Sequence, residues 1–239
     1  MQMWKQRGIF LCGALALLLL CGRTADRAVA ADAAVELETE MKYIALTVDD
    51  GPRASTTGRL LDGLKERGAS ATFFLVGNRI AGNEDLIWRM KEEGHQVGNH
   101  TWSHVKLQGA GSAAIRSEVE KTDAALRELL GGGGYWLRPP YGLIRQDERE
   151  LIRVPMVHWS VDPKDWEVLN TPTVVRSVLN TVKPGDIILL HDIYPTSVDA
   201  ALQIVDALEA QGYWFVTVEE LLALNGIQAR AGEMYLSAR

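Results

Sequence analysis

Short apolar runs alternate with amphipathic stretches along this chain, and that alternation limits the fold more than any single residue does. The runs are 44–48, 71–76, 96–99, 136–138, 156–160, 186–190 and 214–217. Between most of them lie stretches of helical periodicity, 57–66, 84–93, 113–130, 173–182 and 198–210. Four of these five close on Gly68, Gly94, Gly131 or Gly212, the residue type that best tolerates the left-handed turn at a helix end. Parallel strands need a crossover, usually a helix, so strand-then-helix order predicts an α/β fold with a parallel sheet of about seven strands. With 239 residues, 47% of them hydrophobic, the chain can bury one large core. A doubly wound sheet and a small closed barrel both suit these numbers.

In parallel α/β folds the chemistry collects at the C-terminal ends of the strands. Here Asp49 and Asp50 follow the first run, His100 follows the third and Arg138 ends the fourth. Asp162 and Asp165 follow the fifth, and His191 follows the sixth. Five runs deliver ionisable groups to one rim, more than surface decoration explains. The adjacent carboxylates in Thr-Val-Asp-Asp-Gly-Pro, residues 47–52, need a particular backbone. Extended chain sends successive side chains to opposite sides, so both reach one pocket only if the chain turns at Gly51-Pro52. One then serves a metal and the other a proton, and their mutual repulsion asks for a nearby cation. The plainer alternative is a solvated turn.

His100 and His104, in His-Thr-Trp-Ser-His, stand four residues apart. A helical turn there would let both grip one ion together with Asp50. Two imidazoles and a carboxylate leave coordination positions open for water and substrate. A capping and packing pair in a polar loop is the alternative. Arg138-Pro139-Pro140-Tyr141-Gly142 reads as a rigid loop, because proline fixes φ and removes a donor. It suits Arg138 as the partner that keeps Asp49 ionised, and the Tyr141 main-chain N–H as donor to a developing oxyanion. An arginine stacked in a Pro-rich turn is the alternative there. In 159–166 acids stand beside indoles, a common sugar-binding arrangement, with Trp166 as groove wall and Trp159 as core. The sixth run ends in His191, where a carboxylate such as Asp165 would favour the proton-donating imidazolium. His95 and His158 read as structural.

The N-terminus has its own pattern. Lys5 and Arg7 precede an apolar run, 8–22, and Ala28-Val29-Ala30 supplies a small-x-small cleavage site. Residues 1–30 are therefore expected to be a signal peptide, with an uncleaved anchor as the alternative. Both cysteines, Cys12 and Cys21, lie in that run, so cleavage leaves no disulfide framework and no thiol chemistry. Leu18-Leu19-Leu20 does not suit lipid attachment at Cys21. Removing four basic residues and one acid from 25 and 31 leaves 21 against 30, a net charge of −9. Such a surface argues against nucleic acid and is neutral toward carbohydrate. The expected location is secreted or cell envelope, with the membrane met only through the N-terminal segment. An acidic linker, 31–42, then leads to a domain at 43–225 and a C-terminal tail at 226–239.

TVDDGP, HTWSH, RPPYG, DPKDW and LLHD, in this order, resemble the five motifs of the polysaccharide deacetylases, the NodB-homology or carbohydrate esterase family 4 proteins. The resemblance runs from about Tyr43 to Leu222 and implies a distorted (β/α) barrel. It implies Asp49 as general base, Asp50, His100 and His104 as ligands of a divalent metal, usually zinc with cobalt or nickel able to serve, and Arg138 as the residue that orients Asp49. It further implies Tyr141 as oxyanion donor, Asp165 tuning His191 as general acid, and Leu189 with Trp166 walling the acetyl pocket. The implied reaction is hydrolysis of an N-acetyl group on a polysaccharide: water activated at the metal and deprotonated by Asp49 attacks the carbonyl, and His191 protonates the departing amine. Val48 departs from the usual Phe, a packing change behind the base. The motif set looks most like that of bacterial peptidoglycan N-acetylglucosamine deacetylases. Chitin or chitooligosaccharide deacetylases come next, then acetylxylan esterases. A silent glycan-binding relative would lack a base, ligand or acid, and none is missing. No appended binding domain is expected, and the protein is expected to be a monomer.

Overall fold

The computed structural model describes residues 41–239. The expected signal peptide and residues 31–40 of the linker lie outside the described residues. In chain order the elements are β1 (Lys42–Asp49), α1 (Thr57–Arg67), β2 (Ala71–Leu75), α2 (Glu84–Glu92), β3 (Gln96–Asn99), α3 (Ser112–Leu130) and α4 (Gln146–Arg149). They continue with β4 (Met156–Val157), α5 (Asp165–Val168), α6 (Thr171–Thr181), β5 (Ile187–His191), α7 (Pro195–Glu209), β6 (Tyr213–Phe215), α8 (Val218–Leu224) and β7 (Met234–Tyr235). Among the described residues no helix is long and apolar enough to cross a membrane.

The strand order is β3-β2-β1-β5, all parallel, and β6 adds to the first residues of β1. A separate parallel pair joins β4 to β7. Single bridges, Asn99 to Leu137, Leu137 to Met156 and Val161 to Ile188, carry the pairing from β3 round to β5, which gives a distorted barrel. The seven strands among the described residues, all paired in parallel, are thus divided between a five-stranded sheet and a separate pair, so the expected number in a single sheet is not confirmed. Run 136–138 keeps only the Leu137 bridges, because Pro139 and Pro140 have no N–H to extend a ladder. Run 156–160 is a strand for two residues only, since its far end leaves β4's partners and bonds to β5 through Ser160 and Val161. The tail segment 226–239 carries β7, and Ala238 is buried among Val218, Leu221 and Leu222.

β1 sorts its side chains with a period of two. Ile44, Leu46 and Val48 join the large core with residues of α1 and α7. Ala45 joins the second cluster with Phe74, Val157 and Ile187, and Thr47 and Asp49 share its face. The base of the rim site is thus the last residue of a strand's inner face. α1 ends as its sequence predicts, at Gly68 with φ 67°.

Candidate active site

Asp49 and Asp50 part company through backbone conformation. Asp49 completes β1, whereas Asp50 takes a left-handed φ of 72°, so the second carboxylate swings back toward the first. Among the described residues, the non-glycine residues with positive φ are Asp50, Thr101, His104, Tyr141, Lys164 and Leu169. Five of these six stand inside the rim motifs, the kind of local strain that a surrounding framework must hold in place. His100 and His104 converge by this route and not by the helical turn expected. Residues 100–104 form a loop in which Thr101 (φ 67°) and His104 (φ 59°) reverse the chain.

His104 Nε2 lies 3.1 Å from Asp50 Oδ1, and His100 Nε2 lies 3.5 Å from the same oxygen. The three ligand atoms fall within 4.8 Å of one another. His100 Nδ1 donates to the Arg138 carbonyl at 2.7 Å, which leaves Nε2 as the ligating nitrogen. Asp50 Oδ1 is buried and has no aligned hydrogen bond among the described residues, as befits an oxygen reserved for a cation. The donor set therefore fits a divalent metal. Burial opposes ionisation of Asp50, but His104 and His100 beside it hold its carboxyl well below the usual range. Burial, its largest influence, lowers the His100 pKa, favouring the neutral ligand form.

Arg138 is fully buried and spends its guanidinium on four acceptors. Nη1 donates to Asp49 Oδ1 at 2.8 Å and to Thr47 Oγ1 at 2.7 Å. Nη2 reaches the His158 carbonyl at 2.7 Å and Nε the Val157 carbonyl at 3.3 Å. The guanidinium also lies over Phe74, 4.3 Å from the ring centroid. Thus Asp49 is a buried carboxylate with a permanent countercharge.

Parallel pairing of β1 with β5 sets His191 beside Asp49 in register. Asp165, at the start of α5, accepts from His191 twice: from Nδ1 at 2.9 Å and from the main-chain N–H at 2.8 Å. Burial works against the imidazolium, but Asp165, helped by Asp49 and Asp50, raises the His191 pKa to about 9. His191 Nε2 is then the proton-bearing nitrogen left free.

These groups surround one cavity of about 350 Å3. Leu189 lies on its floor, and Tyr141 and Trp166 stand 60% and 47% exposed at its edge, enough ring surface for a sugar to stack on. All eleven positions that sequence reading placed at the rim or in the base-arginine pair are accounted for: the cavity takes in nine of them, Asp162 included, while Arg138 supports Asp49 and Asp165 supports His191 from outside its lining. Trp159, expected in the core, packs against the second cluster and also lines the cavity, because its ring is long enough to do both. Tyr194 lines it as well, and its only sequence signal was its place just after LLHD.

Asp192 was passed over too. It is buried, accepts from Thr57 Oγ1, and lies where a Cβ on Gly51 would come within 2.7 Å of both its oxygens. Burial raises its pKa to about 7. His95 is structural as expected: its Nδ1 accepts from the Ala71 N–H at 3.1 Å.

The fold and rim define an α/β protein with a metal-competent cleft that also holds a fixed ion pair and a titratable one. The chain belongs to the polysaccharide deacetylase family: the family's sequence profile matches residues 36–154, and several relatives align over most of the folded region. Peptidoglycan-N-acetylmuramic acid deacetylase PdaC of Bacillus subtilis is 40% identical over 185 residues, covering 77% of this chain and 40% of the relative. Peptidoglycan-N-acetylglucosamine deacetylase PgdA of Listeria monocytogenes is 39% identical over 194 residues, covering 81% of this chain and 41% of the relative. The chain thus spans about two fifths of the length of these curated relatives. Among solved structures, a T48 deacetylase with substrate superposes with a TM-score of 0.78 at 40% identity, covering 82% of this chain and 96% of that one.

Proposed function

We propose that this protein is a metal-dependent deacetylase that hydrolyses the N-acetyl groups of cell-wall peptidoglycan, with N-acetylglucosamine as the sugar attacked. The observation that carries this is the presence, in one cavity with a metal-ligand triad, of a carboxylate paired to an arginine and an imidazole paired to a carboxylate. Asp50, His100 and His104 would hold a divalent ion, zinc by preference, which would supply Lewis acidity toward the attacking water and the acyl oxygen. Asp49, held in place by Arg138, takes the proton from the attacking water. The Tyr141 N–H donates to the oxygen on which negative charge develops. The Asp165–His191 pair delivers a proton to the departing nitrogen, so that a free amine and acetate leave. Leu189 and Trp166 receive the acetyl methyl and the sugar face.

The names of PdaC and PgdA support a peptidoglycan substrate and differ in the sugar. A net charge of −9 on the chain without residues 1–30 suits a neutral sugar better than the lactyl carboxylate of N-acetylmuramic acid. The N-terminal pattern supports export to the cell envelope, and the chain works there as a monomer. Acetate release by the purified protein from N-acetylated peptidoglycan, chitooligosaccharides and acetylxylan, with and without a chelator and zinc restoration, tests this. Release from peptidoglycan is expected, lost on chelation and restored by zinc. No release from any of them with metal bound would replace this function with glycan binding.

A further inference from the structure

Tyr141 holds a left-handed backbone without being glycine, and its neighbours must keep it there. One support is His104, whose ring meets the Tyr141 ring edge-on with centroids 5.0 Å apart. A second is His158, which touches the next residue. Gly142, at φ 68°, has no room for a side chain: a Cβ there would lie 2.3 Å from His158 Nε2 and 3.1 Å from the edge of the Trp159 ring. The His158 imidazole is stacked on Trp159, centroids 4.0 Å apart and planes at 23°. Its Nδ1 donates to the Trp159 carbonyl at 3.2 Å, so the neutral ring turns an unprotonated Nε2 toward Gly142. The carbonyl of the same residue accepts from Arg138 Nη2. One side chain and its own carbonyl therefore touch both the turn that presents Tyr141 and the arginine that holds Asp49.

We propose that His158 is a positioning residue: its ring, stacked on Trp159 and packed against Gly142, fixes the place of the Tyr141 N–H relative to the reacting carbonyl. This rests on the deacetylase function proposed above. His158 makes and breaks no bond. A smaller side chain would let the Tyr141–Gly142 turn settle into the vacated space, and a misplacement of about 1 Å costs roughly a hundredfold in rate. The donor acts on charge that develops during reaction, so the loss falls on kcat and leaves KM nearly alone.

The test compares H158A, H158F and G142A in the full chain by kcat and KM for acetate release, with zinc affinity and thermal unfolding measured alongside. H158A is expected to lose about tenfold to a hundredfold in kcat, with zinc affinity and KM within about twofold of wild type. H158F, whose ring can still stack on Trp159, is expected to keep most of the rate. H158A and G142A combined should lose no more than the worse single variant, because both act through one contact. Wild-type kcat in H158A, equal losses in H158A and H158F, or a loss confined to KM would each overturn the role. Should H158A fail to fold, H158F decides: near-wild-type kcat beside an impaired G142A supports the role, and loss in H158F overturns it. An inactive wild type would sink the deacetylase function and this role together, whereas an active wild type matched by H158A sinks the role alone.

Discussion

Asp49 and Asp165 are both buried carboxylates at the same rim, and each is bound to a nitrogen base, but the two bases differ in kind. Asp49 is matched to a guanidinium that stays charged at any pH a protein survives. Asp165 is matched to an imidazole with a pKa of about 9, a cation that can be discharged. Each fixes its partner's chemistry. A carboxylate that must take protons needs a partner that will not give one up, whereas a carboxylate that supports a proton donor needs a partner that will.

Breaking the first pair at the carboxylate should have the largest effect. Asp49→Asn keeps the shape and the Arg138 contact but removes the basic oxygen, and kcat should fall by about 10²–10⁴-fold. Zinc affinity, read by calorimetric titration, should hold within a few-fold, because the triad is Asp50, His100 and His104. Near-normal turnover in this variant would mean that the base is elsewhere and the comparison is misdrawn.

Arg138→Met should cost less in rate and far more in stability. It strands Asp49 in a site that is 3% exposed, with the Thr47, Val157 and His158 acceptors unpaired as well. Losing one partner of a buried pair typically costs about 3–5 kcal/mol, against less than about 1 kcal/mol for an exposed pair such as Arg67–Asp206. Urea unfolding measures it. Arg138→Lys should rescue little, since one ammonium cannot reach four acceptors spread around a planar fork. A stability loss below about 1 kcal/mol would show that water reaches Asp49 and that the pair is not sealed.

Much of this site was readable because its residues sit at strand ends, where alternation and rim position assign them without coordinates. Asp49, Asp50, His100, Arg138, Asp165 and His191 all carry that signal. What did not show was the backbone that aims them. Thr101, Tyr141 and Lys164 are left-handed although none is a glycine, asparagine, aspartate or histidine, so no propensity marks them. Asp192 looked like the polar end of a strand, and its contact with Thr57 is 135 residues distant in sequence. β7 is two residues long, and α5 only four, too short for any periodicity to register. α8 went unread although it carried a signal: Thr217 and Glu220 form a capping box, and Thr217 was taken instead as the end of run 214–217.

The second pair is where the comparison can be sharpened by pH. His191 moves from an ordinary 6.5 to about 9 on folding, so the folded state binds its proton more tightly than the unfolded chain does. That contribution to stability is complete below about pH 6.5 and fades as pH rises through 9. Asp165→Asn removes the hydrogen-bonded charge that raises the pKa and leaves burial, which lowers it. In metal-free protein, the stability gap between wild type and Asp165→Asn should therefore be widest near pH 6 and shrink toward pH 10, by chemical denaturation at each pH. In the loaded enzyme the alkaline limb of kcat should move to lower pH in the variant, because a neutral His191 has no proton to give the departing amine. The rate at the optimum should drop by only about tenfold to a hundredfold, less than for Asp49→Asn, since the imidazole itself remains. Arg138 cannot produce such a limb, as it does not titrate in this range. An alkaline limb unmoved by Asp165→Asn would assign the proton donor to some other group, and the two pairs would then differ in composition but not in task.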